Sequence, residues 1–172
     1  MPIETRPLHP CIGAEMTGID ARRPQTPAEV AAIEAGMDRH AVLVLPGQDM
    51  TDEQQLAFTR NFGPLQEGAN TTLTATTMRL GEAFADVSNL DKNNTPYPRD
   101  DRRRLFAIGN RLWHSDSSFK DVPAKYSLLS ARQIPATGGN TEFADMRAAY
   151  DALDEATKRE VHDLICLHSQ IY

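Results

Sequence analysis

Cysteine is nearly absent. Cys11 and Cys166, far apart, are the only two in 172 residues. A cysteine-stapled fold is therefore excluded, and both side chains are expected to be reduced thiols in a cytoplasmic protein. No charged-then-apolar leader opens the chain, which points away from secretion. Long apolar runs are missing as well. The longest, over 41–46, is far too short to cross a bilayer, so no membrane partner is expected. There is no basic excess: 18 Lys and Arg face 24 Asp and Glu, for a net charge of −6 and a pI near 5.3. That balance argues against a nucleic-acid surface, and leaves a local arginine or a metal as the means of holding an anion. No internal repeat or low-complexity tract occurs. Ser115, Ser117 and Ser118 lack a Gly-x-Ser-x-Gly elbow, so serine-hydrolase chemistry is not expected.

What is present suits one soluble domain over 1–172, with 40% apolar and 24% charged residues. A chain of this size buries about 70% of its unfolded surface, enough for a true core. Strands are expected over 3–8 and 14–19. Thr26-Pro27 opens a helix, with the hydroxyl as cap, proline at the first helical position, and Val30, Ile33 and Met37 along one apolar face. Residues 41–45 read as a strand buried on both sides and ended by Pro46-Gly47. Thr51 and Gln54 make a capping box for a second helix running toward Gly63-Pro64. Residues 66–104 are polar and poorly periodic, with a short strand at 86–90; a stretch of this kind is expected to be an active-site loop or lid. Further strands are expected at 106–110, 126–134 and 140–144, and helices at 145–153 and 154–164. The run Arg102-Arg103-Arg104 reads as a solvated loop face.

The residues that carry chemistry stand in Trp113-His114-Ser115-Asp116-Ser117-Ser118-Phe119. In an extended segment, positions i and i+2 share a face, so His114 and Asp116 point the same way. A neutral nitrogen and a hard carboxylate oxygen supply two corners of the two-His-one-carboxylate triangle that holds non-haem Fe(II) with open positions. Trp113 is expected to bury its indole behind that strand.

Around this motif stand Asn110-Arg-Leu-Trp-His-Ser-Asp-Ser-Ser-Phe, Pro123-Ala-Lys-Tyr-Ser-Leu-Leu-Ser-Ala and Gly138-Gly-Asn-Thr-Glu-Phe-Ala-Asp-Met-Arg-Ala-Ala-Tyr-Asp-Ala-Leu. Together with Arg6-Pro7-Leu8-His9-Pro10, Gly18-Ile19-Asp20, Met37-Asp38-Arg39 and Phe62-Gly63, this wording resembles the taurine/2,4-dichlorophenoxyacetate dioxygenase family, and most nearly its herbicide-degrading branch. The resemblance implies a mixed α+β, mainly β fold: a double-stranded β-helix (jelly roll), here incomplete, with flanking N-terminal helices. It implies Fe(II) held by His114 and Asp116, and 2-oxoglutarate as cosubstrate with one carboxylate bonded by the Thr141 hydroxyl. Gly138-Gly139 would make the tight turn leading to Thr141, and Asn110 would line the substrate side. The partners implied are O2 and a small carboxylate such as an aryloxyalkanoate. Its hydroxylation beside the ether oxygen releases a phenol and glyoxylate, with succinate and CO2 formed from 2-oxoglutarate. Association into a homo-oligomer is compatible with this reading.

The family runs on for roughly another hundred residues, on the scale of a closed double sheet. That part holds the distal iron-binding His and the Arg that pairs with the far end of 2-oxoglutarate. No residue here takes either role. His168 has no Arg after it, His162 lies on a charged helix, His9 belongs to a turn, and His40 ends a helix where it complements the dipole. The 172 residues alone are therefore expected to be inactive as an oxygenase fragment. Two alternatives stay open: a non-catalytic relic or binding module, and a cupin-like metal protein of other chemistry.

Overall fold

A computed structural model describes residues 1–66 and 84–166, which fall into two compact units. The first joins Met1–Phe62 to Leu128–Tyr172; the second is Gly63–Ser127. His168 lies outside the described residues, as do positions 67–83 of the expected loop.

In the first unit, β1 (Glu4–Pro7) runs antiparallel to β2 (Ala14–Thr17), with Glu4 opposite Thr17 and Pro7 opposite Ala14. From β2 the chain passes through α1 (Pro27–His40) to β3 (Leu43–Val44), which pairs in parallel with β2 and completes a sheet of order β1-β2-β3. Local chemistry fixes both ends of α1. The Thr26 hydroxyl accepts from the Glu29 N–H at 3.2 Å, and the Glu29 carboxylate accepts from the Thr26 N–H at 2.8 Å, so two otherwise orphaned donors are satisfied. At the other end, Ala41 turns left-handed (φ 61°) and its N–H closes on the Met37 carbonyl. α2 (Asp52–Thr59) begins with the same device, built from Thr51 and Gln54, and continues into a 3-10 turn, Arg60–Phe62.

Burial explains the layering. Met16, Ile19, Ala21, Ile33 and Phe58 form the core, and Met37, Leu43, Leu45, Met50, Phe62 and Leu128 pack around them. Phe58 and Phe62 meet edge to face, with centroids 5.4 Å apart. α1 rests on the sheet at Gly36, where an added Cβ would come within 2.9 Å of both Leu43 Cδ1 and Met16 Cε. The late segment is fastened to the early helices by Leu128 and two arginines. Arg132 donates to Gln55 Oε1 at 2.8 Å and pairs with Asp52 at 3.0 Å. Arg147 donates to the Asp38 carbonyl at 2.6 Å. α4 (Met146–Asp151) and α5 (Glu155–Val161) follow, capped by the Asp145 and Asp154 carboxylates.

In the second unit, residues 84–101 make turns with one isolated bridge, Leu90 to Pro96. α3 (Arg102–Ala107) then leads into a 3-10 turn, Ile108–Arg111.

The mixed α and β character is as expected, but several strands are not. Residues 41–45 contribute only Leu43–Val44, half-buried and exposed respectively, because the segment has one ladder partner rather than a covered face on each side. Residues 86–90 form no strand. Residues 106–110 are helical: Asp101 accepts from the Arg103 N–H at 2.9 Å and starts a turn that the good helix formers Arg and Leu continue. Residues 126–134 and 140–144 carry no strand assignment, since among the described residues no second segment forms a ladder with them.

Two predictions follow from α1. Gly36→Val pushes the helix off Met16 and Leu43 and costs about 1–3 kcal/mol, read as a lowered midpoint in urea. The Glu29 carboxyl, bonded first by the Arg23 side chain and then by the Thr26 N–H, is held at about 2 rather than 4.5. Its folded value is depressed, so the cap is intact above the ordinary value and is lost as pH falls through about 2. The Thr26 amide resonance should titrate with a midpoint near 2, moving up toward 4.5 in Arg23→Ala.

Candidate metal centre

The 3-10 turn that ends at Arg111 closes with the Leu112 N–H on the Gly109 carbonyl at 3.0 Å. The Leu112 carbonyl then faces the His114 ring, and Nδ1 stands 2.8 Å from it. A carbonyl oxygen only accepts, so Nδ1 is the donor here, which leaves Nε2 as the ring nitrogen that can offer a lone pair. Nε2 lies 3.4 Å from Asp116 Oδ1. That distance is long for a hydrogen bond. The two donor atoms therefore stand side by side without a close hydrogen bond between them, near enough to converge on one cation. Both side chains are about half exposed, which leaves room for further ligands.

Asp116 opens a turn. Ser117 adopts a left-handed conformation (φ 58°), the Lys120 N–H donates to the Ser117 carbonyl at 3.0 Å, and the Ser117 hydroxyl donates to Gln66 Oε1 at 2.9 Å. The second carboxylate oxygen of Asp116 accepts from the Ser127 hydroxyl at 3.0 Å. Nearby in sequence, Arg103 is clamped by Asp101 and stacks over the Tyr97 ring at 4.0 Å, so the arginine run sits on a helix and is partly engaged. The Arg103 side chain and N–H hold the Asp101 carboxyl at about 2.

Of the sequence-derived candidates, His114 and Asp116 are brought together. Asn110 is exposed on the 3-10 turn rather than at a strand end. Thr141 is exposed in the first unit, two residues after a turn in which Gly138 and Gly139 both have positive φ (73° and 71°), as the double glycine led one to expect. Trp113 is 69% exposed rather than buried, since residues 112–115 join no sheet and have no rear face to cover it. His162 is exposed, with Asp163 Oδ1 3.9 Å from its Nε2. Cys11 and Cys166 are free thiols. Among the described residues no third His, Cys, Asp or Glu joins the pair, and no helix is long and apolar enough to cross a membrane. Sequence reading missed Ser127. The usable signal was its place between Tyr126 and Leu128, where alternation turns it away from both.

The Ser117 backbone yields a prediction. A β-branched residue is strongly disfavoured at positive φ, so Ser117→Val should lower stability by about 1–3 kcal/mol and strip exchange protection from the Lys120 amide. Ser117→Gly should keep that protection.

Comparison with known proteins gives the chain its place. Residues 4–170 match the family model described as taurine catabolism dioxygenase TauD, TfdA family. Over 169 residues the chain is 44% identical to the alpha-ketoglutarate-dependent 2,4-dichlorophenoxyacetate dioxygenase of Cupriavidus pinatubonensis, covering 98% of this chain and 58% of that protein. It is 36% identical to the (S)-phenoxypropionate/alpha-ketoglutarate-dioxygenase of Delftia acidovorans, over 99% of this chain and 56% of that one. A crystal structure of AAD-2 in complex with Mn(II) and N-oxalylglycine superposes with a TM-score of 0.92 at 53% identity, over 98% of this chain and 59% of that chain. The chain thus spans a little over half the length of these relatives. By the extent of its match to the family model, this chain belongs to the TauD/TfdA family of dioxygenases.

Proposed function

We propose that this chain is the N-terminal part of an Fe(II)- and 2-oxoglutarate-dependent dioxygenase that hydroxylates a small carboxylate of the aryloxyalkanoate kind in the cytoplasm. The observation that carries the proposal is the pairing of a lone-pair-bearing His114 Nε2 with Asp116 Oδ1 at 3.4 Å. Relatives named for 2-oxoglutarate-dependent oxidation of phenoxyacids support the substrate class. The complete fold in this reading is a jelly roll of one domain, with residues 66–104 as its active-site loop.

The donor set suits ferrous iron: imidazole nitrogen with carboxylate oxygen, and coordination positions left open. When bound, the iron supplies activation of O2 coupled to oxidative decarboxylation of 2-oxoglutarate to succinate and CO2. His114 and Asp116 would hold it. Leu112 fixes the imidazole tautomer through its carbonyl, so the ring offers a lone pair and not a proton. Thr141 would donate its hydroxyl to a carboxylate of 2-oxoglutarate, and Asn110 would border the substrate. The distal His and the Arg that the family uses would come from the portion of the relatives that this chain does not span.

The test joins this chain to the remaining C-terminal portion of the Cupriavidus enzyme. Given Fe(II), 2-oxoglutarate, O2 and an aryloxyacetate, the fusion should release succinate and phenol together, and His114→Ala or Asp116→Ala should abolish both. A folded fusion that binds Mn(II) yet forms neither product would return the non-catalytic binding module as the better reading.

A further inference from the structure

The Asp116 carboxylate has two oxygens with different surroundings. Oδ1 faces His114 Nε2 at 3.4 Å, and Oδ2 accepts from the Ser127 hydroxyl at 3.0 Å. The two residues are eleven apart in sequence, so the bond is set by the path of the chain and not by the local turn. Over 124–130, burial alternates with period two: Ala124, Tyr126, Leu128 and Ser130 are half-buried, while Lys125, Ser127 and Leu129 are exposed. Side chains along such an alternating segment point to opposite sides in turn, so the half-buried Tyr126 leaves Ser127 facing the other way, where its hydroxyl meets Asp116.

We propose that Ser127 is a positioning residue for the metal centre, holding Asp116 so that it binds a cation through Oδ1 alone. The inference rests on the reading of His114 and Asp116 as metal donors. A carboxylate that is free to rotate can present either oxygen, or both, to a cation. With Oδ2 occupied by a donor hydroxyl, the rotation is restrained and Oδ1 stays on the side of the imidazole. Groups that orient a metal ligand in this way typically alter metal affinity by about 10–100-fold when removed.

The experiment is a Mn(II) titration of the fusion of this chain to the C-terminal portion of the Cupriavidus enzyme, followed by electron paramagnetic resonance, which counts free Mn(II) directly and needs no turnover. Ser127→Ala should weaken Mn(II) binding by about tenfold. Ser127→Thr retains the hydroxyl and should restore affinity to within about twofold of the parent, well inside that same range. Melting curves of the metal-free proteins should coincide, which separates positioning from folding. If Asp116→Ala loses Mn(II) while Ser127→Ala binds like the parent, the positioning role is overturned and the metal site stands. If Asp116→Ala binds like the parent, or the parent does not bind at all, the metal-site reading fails and this inference fails with it.

Discussion

The first unit depends on how closely α1 lies against β2 and β3. Gly36 is the point of nearest approach, because only a residue without a side chain leaves room for Met16 and Leu43 beneath the helix. From that contact the rest of the layer is determined. Met16 is 2% exposed and belongs to one buried cluster with Ile33 and Phe58, so β2, α1 and α2 meet at one apolar point. β3 can pair with β2 only where α1 sets the chain down, beginning at Leu43 opposite Ala14. The short sheet is a consequence of this geometry, since polar groups of two brief strands would not hold together without the helix over them.

Three Asp-x-Arg pairs recur as a local device: Asp20 with Arg22, Asp101 with Arg103, and Asp145 with Arg147. In each, the carboxylate accepts from the arginine's own N–H and takes the guanidinium through both oxygens. Two of them stand at helix starts, where the carboxylate also complements the dipole. Charge pairs whose guanidinium is this open to solvent contribute little by themselves. Their effect is to fix a corner, and in Arg147 the corner is used: the remaining guanidinium nitrogen caps the Asp38 carbonyl near the end of α1.

Helices were legible in the sequence because their signals are local. Thr26 with Glu29, Thr51 with Gln54, and Asp145 and Asp154 each lie within a few residues of the groups they satisfy. Strands were less legible because a ladder belongs to two segments at once. Residues 124–130 show the alternation of a strand, yet alternation says nothing of a partner. α3 was missed because Asp101 and its arginines read as a charge run rather than as a cap followed by helix formers. The same division holds at the metal centre. The i, i+2 spacing of His114 and Asp116 was readable, whereas the Ser127 hydroxyl reaches Asp116 across a turn whose shape depends on a left-handed serine.

The first unit is discontinuous along the chain, since Met1–Phe62 is completed only by residues from Leu128 onward. During synthesis the N-terminal helices emerge well before Leu128, Arg132 and Arg147 exist to cover them. At typical elongation rates of about 5–20 residues per second, that interval lasts seconds, long compared with helix formation. The nascent protein must therefore wait with Ile33 and Phe58 incompletely enclosed, a stage at which a holding chaperone has something to grip.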